Sequence, residues 1–96
     1  MTTTDRPPVI SGQWCLVTVR QKRRESFLSY LDIDIKRKQL QELILEVVKP
    51  EDSVYENMVL IRIGNFAESK IHLQKIDHFQ SIQRLNDKDV RRMLNR

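Results

Sequence analysis

Residues Leu40 to Ile63 read LQELILEVVKPEDSVYENMVLIRI, two apolar runs separated by a proline, several acids, a tyrosine and an asparagine. Each run has the length and the β-branched content of a strand. Leu43 to Val48 forms one, and Lys49-Pro50 ends it, because proline has no N–H for a ladder and biases Lys49 toward an extended geometry. Glu51 to Glu56 carries the turn. Met58 to Ile63 forms the next strand, stopped by Gly64-Asn65, a pair tolerant of positive φ. Strands joined this closely are most simply antiparallel neighbours. Strict alternation puts Leu43, Leu45 and Val47 on one side, with Ile44 and Val48 on the other and Glu46 the lone polar residue. In the following strand Val59, Ile61 and Ile63 share a side, and Met58 and Leu60 take the opposite one. Apolar residues thus lie on both faces, and a small sheet roofed on one face leaves an apolar patch of the kind that marks interfaces.

Upstream, Trp14 to Val19 is a strand with Trp14, Leu16 and Thr18 on one face and Cys15, Val17 and Val19 on the other. From Lys22 to about Lys36 the period changes to four, through Phe27, Leu31 and Ile35 with Leu28 beside them, which is an amphipathic helix. The DIDI alternation at Asp32 to Ile35 also fits a strand and blurs the helix end. Downstream, a helix from about Glu68 to Ile76 presents Ile71, Leu73 and Ile76, and Phe79 to Leu85 is a short fourth strand. A last helix opens at Asn86 or Asp87, both good N-caps, and runs through Val90, Met93 and Leu94. The order β-α-β-β-α-β-α describes an α+β fold: a four-stranded antiparallel sheet with helices on one face, a split βαβ unit.

A chain of 96 residues makes one domain with one core. Residues 1–12, MTTTDRPPVISG, have neither a secretory core nor transit-peptide character and are expected to be a flexible tail before a domain at 13–96. Hydrophobic residues make up 40% and charged residues 31%, and no apolar run approaches the ~18 residues of a membrane span. The single cysteine, Cys15, cannot close an intrachain disulfide and alternates with Val17 and Val19, so it reads as a small core hydrophobe. Cytoplasm is the expected compartment. The net charge of +4 favours polyanions or acidic protein surfaces as partners. Its cations cluster at Arg20, Lys22, Arg23 and Arg24, at Lys36, Arg37 and Lys38, and at Arg91, Arg92 and Arg96. The last two groups read equally well as solvated faces.

The usual signatures of catalysis are missing from the pattern. Two glycines, Gly12 and Gly64, are too few for a phosphate-cradling loop. His72 and His78 are six apart, the wrong spacing for two metal ligands on one helix face, with no cysteine near. The serines lack a nucleophile-elbow context, and Asp32 and Asp34 do not face each other on a helix. No catalytic residue, metal or cofactor is assigned, and the expectation is a protein that is not an enzyme.

The segments WCLVTVRQ, LQELILEVVKP, MVLIRI, SKIHLQKIDHFQSIQRL and NDKDVRRMLNR, in that order, resemble the N-terminal (NGN) domain of the NusG transcription elongation factors over nearly all of residues 13–96. The departures are specific. Where that family has Phe-Pro-Gly-Tyr before Val-Leu-Val, this chain has Tyr55-Glu56-Asn57-Met58 before Val59-Leu60-Ile61. The hairpin that follows the proline in the family is reduced to Glu51 to Val54, and nothing resembles the family's C-terminal KOW domain. The resemblance therefore implies a divergent, stand-alone NGN-like protein.

In the family the aromatic pair of that motif lines an apolar depression that receives the clamp helices of the largest RNA polymerase subunit. Carried over by position, Tyr55 and Met58 line it here, with Leu60 and Trp14 as further protein-binding candidates. Tyr55 keeps an aromatic body with a polar tip and Met58 is an adaptable filler. The plainer reading makes Met58 sheet core and Tyr55 an edge residue over it. The same placement sets Arg20, Lys22, Arg23 and Arg24 near nucleic acid or an acidic polymerase surface, in non-specific phosphate contact.

The expected function is that of a transcription elongation and antitermination modulator, a monomer when free, without membrane contact. The competing expectation is a small RNA-binding module, or an assembly subunit, on the same framework. RNA recognition motifs stack bases on strand aromatics. MVLIRI has none.

Overall fold

The computed structural model describes residues 12–94. The tail expected at residues 1–12 therefore lies outside the described residues except for Gly12, and so do the last two residues, Arg96 of the third basic group among them. The elements are β1 (Gln13–Val19), α1 (Arg24–Lys38), β2 (Ile44–Val48), β3 (Met58–Ile63), α2 (Phe66–Gln74), β4 (Phe79–Arg84) and α3 (Asp87–Leu94), with a one-turn 3₁₀ segment at Ser53–Tyr55 between β2 and β3. The strands form one sheet in the order β2-β3-β1-β4, every neighbour pair antiparallel. The fold is α+β with a four-stranded antiparallel sheet.

The core follows the period of each element. Cys15, Val17 and Val19 of β1 and Val59, Ile61 and Ile63 of β3 project from one face of the sheet and meet Phe27 and Leu31 of α1 and Leu73 of α2. Each of these side chains is buried almost completely. Full burial of one such aliphatic or aromatic side chain contributes roughly 1.5–3 kcal/mol, which makes this two-layer contact the main source of stability.

Local chemistry sets where the helices begin and end. α1 starts at Arg24, two residues later than the periodicity suggests. Arg20 to Arg23 closes a turn, with Arg23 N–H on the Arg20 carbonyl at 3.0 Å, and Lys22 takes a left-handed φ of 65° that no helix accepts. At the other end the helix runs through the DIDI alternation to Lys38. It stops at Gln39 in a left-handed conformation, where the Leu40 N–H reaches back to the Ile35 carbonyl at 2.9 Å. α2 starts at Phe66 because Asn65 is its N-cap, the Asn65 Oδ1 accepting from Glu68 N at 2.9 Å. Gly64-Asn65 is thus not a positive-φ turn. Asn65 has φ −141°, and a Cβ on Gly64 would stand 3.1 Å from the Glu42 carbonyl oxygen. Ile71, expected on the apolar side of α2, is 54% exposed; Ser69 and Leu73 are the buried positions of the helix, which ends at Gln74, and Ile76 is buried just beyond it.

β2 departs from strict alternation. Ile44 pairs with Ile63, but Glu46 pairs with Arg62, so Leu45 is an unpaired bulge residue. Beyond the bulge the faces exchange: Val47, opposite Ile61, joins Ile44 on the α1 side, while Glu46 and Val48 fall on the second face. The expected common side for Ile44 and Val48 is corrected accordingly. Glu46 then meets Arg62 at 3.2 Å across the second face.

That second face carries Trp14, Leu16 and Thr18 from β1 and Met58, Leu60 and Arg62 from β3. α3 serves it, whereas α1 and α2 cover the first. Val90 and Met93 of α3 are buried outside the main core, and Val90 lines a shallow pocket with Trp14, Asp87 and Arg91. Asn86 caps the helix, its Oδ1 accepting from Asp89 N at 2.8 Å. The Leu85 N–H donates to the Trp14 carbonyl at 2.9 Å, and Gln13 Nε2 donates to the Leu85 carbonyl at 2.9 Å, which fixes where the chain leaves β4.

Candidate functional site

The connector from Lys49 to Asn57 joins β2 to β3 and is tied down by the start of α1. Within it, Asp52 caps the 3₁₀ turn through Oδ1, which accepts from Val54 N at 3.0 Å. Across from it, Arg24 Nη1 donates to the carbonyls of Pro50, Tyr55 and Met58 at 3.2, 3.0 and 3.3 Å. Lys49 Nζ lies 2.8 Å from Glu25 Oε2, and this hydrogen bond, more than the charge alone, holds the Glu25 carboxyl below its ordinary pKa. Asn57 completes the clamp: its carbonyl accepts from Val19 N at 2.9 Å and its Oδ1 from Lys22 N at 3.4 Å.

Tyr55 and Met58 sit at the two ends of the last turn of this connector, both half-buried. Met58 is on the second face, opposite Thr18. Leu60, two residues on, is fully buried and offers no surface to a partner in this conformation. Trp14 shares that face but stands at its far end, opposite Arg62, beneath α3. Of the four candidate protein-binding residues, the fold brings Tyr55 and Met58 together and holds Leu60 inside and Trp14 apart.

The candidate nucleic-acid residues divide as well. Arg20, Lys22 and Arg23 are exposed, and among the described residues no acid pairs with them. Arg24 is turned inward, and its charge serves three backbone carbonyls of the connector. By contrast, the group at the other end of α1 is paired: Lys36 with Asp32 at 3.0 Å, and Arg37 and Lys38 with Asp34 at 3.0 and 3.6 Å. Arg92 of the third group meets Asp89 at 3.4 Å.

Sequence reasoning weighed His78 only as a metal ligand and did not single out Lys75 or Tyr30. The turn between α2 and β4 lies against the β1–α1 turn, with Arg20 N–H on the His78 carbonyl at 2.9 Å. Arg20, Gln74, Lys75, Asp77 and His78 line one open groove there. The His78 ring stacks on Tyr30 of α1, centroids 6.2 Å apart and planes 26° from parallel. A clue was available in the proximity of histidine, lysine and aromatic residues to strand ends, but nothing local joins residues 30 and 78.

Cys15 is fully buried, and burial pushes its thiol up to about 11 from 9.0 against a smaller opposing effect of Arg84. A thiol so raised is a poor nucleophile at neutral pH. Arg84 itself lies 4.3 Å over the Phe66 ring. Among the described residues there is no group of three or more His, Cys, Asp or Glu placed to hold a metal ion, and no helix is long and apolar enough to cross a membrane. No family model and no curated protein sequence matches the chain.

Proposed function

We propose that this chain is a non-enzymatic modulator of transcription elongation and antitermination that docks on the RNA polymerase clamp through Tyr55 and Met58. The observation that carries the reading is the clamped connector. Arg24 holds the carbonyls of both residues, which fixes the backbone that carries them at one edge of the fold, where the connector enters β3. An anchored, half-buried aromatic and an adaptable thioether suit an apolar partner surface such as a pair of helices, because little ordering entropy remains to be lost on binding. The unpaired cations Arg20, Lys22 and Arg23 lie on the turn beside that edge, where a partner that carries nucleic acid would meet them.

A sheet-face RNA module has less in its favour. On the second face the two middle strands present Leu16, Thr18, Met58 and Leu60, and the one ring there, Trp14, adjoins α3. Base stacking has no row of rings to use.

The test is capture of purified core RNA polymerase by the full chain and by a Tyr55→Ala, Met58→Ala variant. Alanine keeps both carbonyls for Arg24, so the connector stays clamped. Retention by the native chain and loss by the variant is expected, and equal recovery overturns the docking proposal.

A further inference from the structure

We propose a single-stranded nucleic-acid site on the edge formed by the β1–α1 and α2–β4 turns, with Arg20, Lys22, Arg23 and Lys75 holding phosphates and Tyr30 stacking a base. This site shares Arg20, Lys22 and Arg23 with the polymerase reading but adds Lys75 and Tyr30, on the side away from Tyr55 and Met58, and its test needs no polymerase. Three observations converge on it.

The first is charge that nothing on the chain neutralises. Lys36, Arg37 and Lys38 at the far end of α1 and Arg92 of α3 have acidic partners, whereas Arg20, Lys22 and Arg23 have none among the described residues. Lys75 adds a fourth cation across the groove it shares with Arg20, and Asp77 is the one acid lining that groove. The balance stays strongly positive, as phosphate binding requires.

The second is an aromatic platform beside that charge. Tyr30 leaves 45% of its surface in water although it stacks on His78, so the pair is braced without being covered. Arg23 caps α1 and Tyr30 lies seven residues further on, close to two helical turns or about 10 Å along its axis. Cations flanking a fixed, exposed ring are the arrangement that takes unpaired bases, since any base has a face to stack. A duplex keeps its bases paired and gives the ring nothing to hold.

The third is the way the two turns are joined. The hydrogen bond from Arg20 N–H to the His78 carbonyl and the one from Lys22 N–H to Asn57 hold the cationic turn against its neighbours. The charges are therefore presented together on one edge of the fold.

The experiment is fluorescence anisotropy of the full chain with labelled oligouridine, oligothymidine and a duplex of equal length, at low and at physiological salt. Binding of a single strand in preference to the duplex is expected, and the tighter of the two single strands names the source as RNA or DNA. Arg20→Gln with Arg23→Gln should weaken binding about tenfold or more and flatten its salt dependence. Tyr30→Ala should weaken it by about the same factor, while Tyr30→Phe, which keeps the ring, binds like the native chain. Lys36→Gln with Arg37→Gln removes equal charge from the paired end of α1 and should change affinity by no more than about twofold. Thermal melts establish that each variant is folded. Native affinity in the Arg20/Arg23 variant or in folded Tyr30→Ala, an equal loss in the Lys36/Arg37 variant, or equal binding of the duplex overturns the site.

Discussion

Arg24 Nη1 lies 3.0 Å from the Tyr55 carbonyl oxygen, and through that contact and two others the first residue of α1 holds the β2–β3 connector in place. One guanidinium nitrogen collects carbonyls from Pro50, Tyr55 and Met58, which span the whole connector. A basic residue that reads as one more member of a cationic cluster is therefore a structural pin.

Replacing that pin should loosen the connector and leave the sheet intact. Arg24→Ala removes a charged donor from three half-buried acceptors, at a cost of roughly 1–3 kcal/mol. The amides of Tyr55 and Glu56, bonded to Asp52 and Ser53 carbonyls in the native connector, should exchange with solvent faster, and those of β1 and β3 should not. Arg24→Lys should restore little of the protection, because the lysine ammonium ends one bond short of the Nη1 position from which all three carbonyls are reached. Hydrogen exchange resolved by residue checks this, and unchanged Tyr55 and Glu56 amides would remove the pin.

Leu60 and Met58 stand two residues apart on the same face but should behave oppositely. Leu60→Ala empties a fully buried position and should cost about 2–5 kcal/mol in urea unfolding. Met58→Ala, half-buried at the strand end, should cost less than half as much. The reverse ranking would mean that Leu60 belongs to the surface.

Trp14 is the single tryptophan and lies beside Val90 of α3, so its fluorescence reports how α3 sits. Asn86→Ala removes the Asn86 Oδ1 acceptor from the first turn, a loss of about 0.5–2 kcal/mol. The helix should fray from Trp14, with emission moving to the red and acrylamide quenching rising at temperatures well below the main transition. An unchanged spectrum would show that Val90 and Met93 hold α3 without its cap.

The buried Cys15 thiol makes stability fall at alkaline pH. Its folded pKa, about 11, lies above the ordinary value of 9.0, so the folded chain keeps a proton that the unfolded chain releases first. The contribution is fully present below about pH 9 and declines as pH rises toward 11, by on the order of 2–3 kcal/mol in all. Cys15→Ala should be less stable than the native chain at pH 7 and should show a smaller alkaline decline. Urea midpoints at pH 7 and 10.5 test the sign, and parallel declines in the two chains would exclude Cys15 as the cause.

The strands and helices were legible from the sequence because their signals are local. The period of two in WCLVTV and MVLIRI, the period of four through Phe27, Leu31 and Ile35, and the cap before α3 each act within a few residues. Together they determine the element order, the α+β class and most of the core. Tertiary structure decided the rest. The Leu45 bulge is set by pairing with β3, so alternation alone misassigned a face of β2. Residues 24 and 55, like 30 and 78, are joined only by the way helices lie on the sheet. Charge shows in a sequence, but whether a cation is paired, pinned inward or left to a partner depends on which acids and carbonyls the fold brings within about 4 Å of it, and no local pattern records that distance.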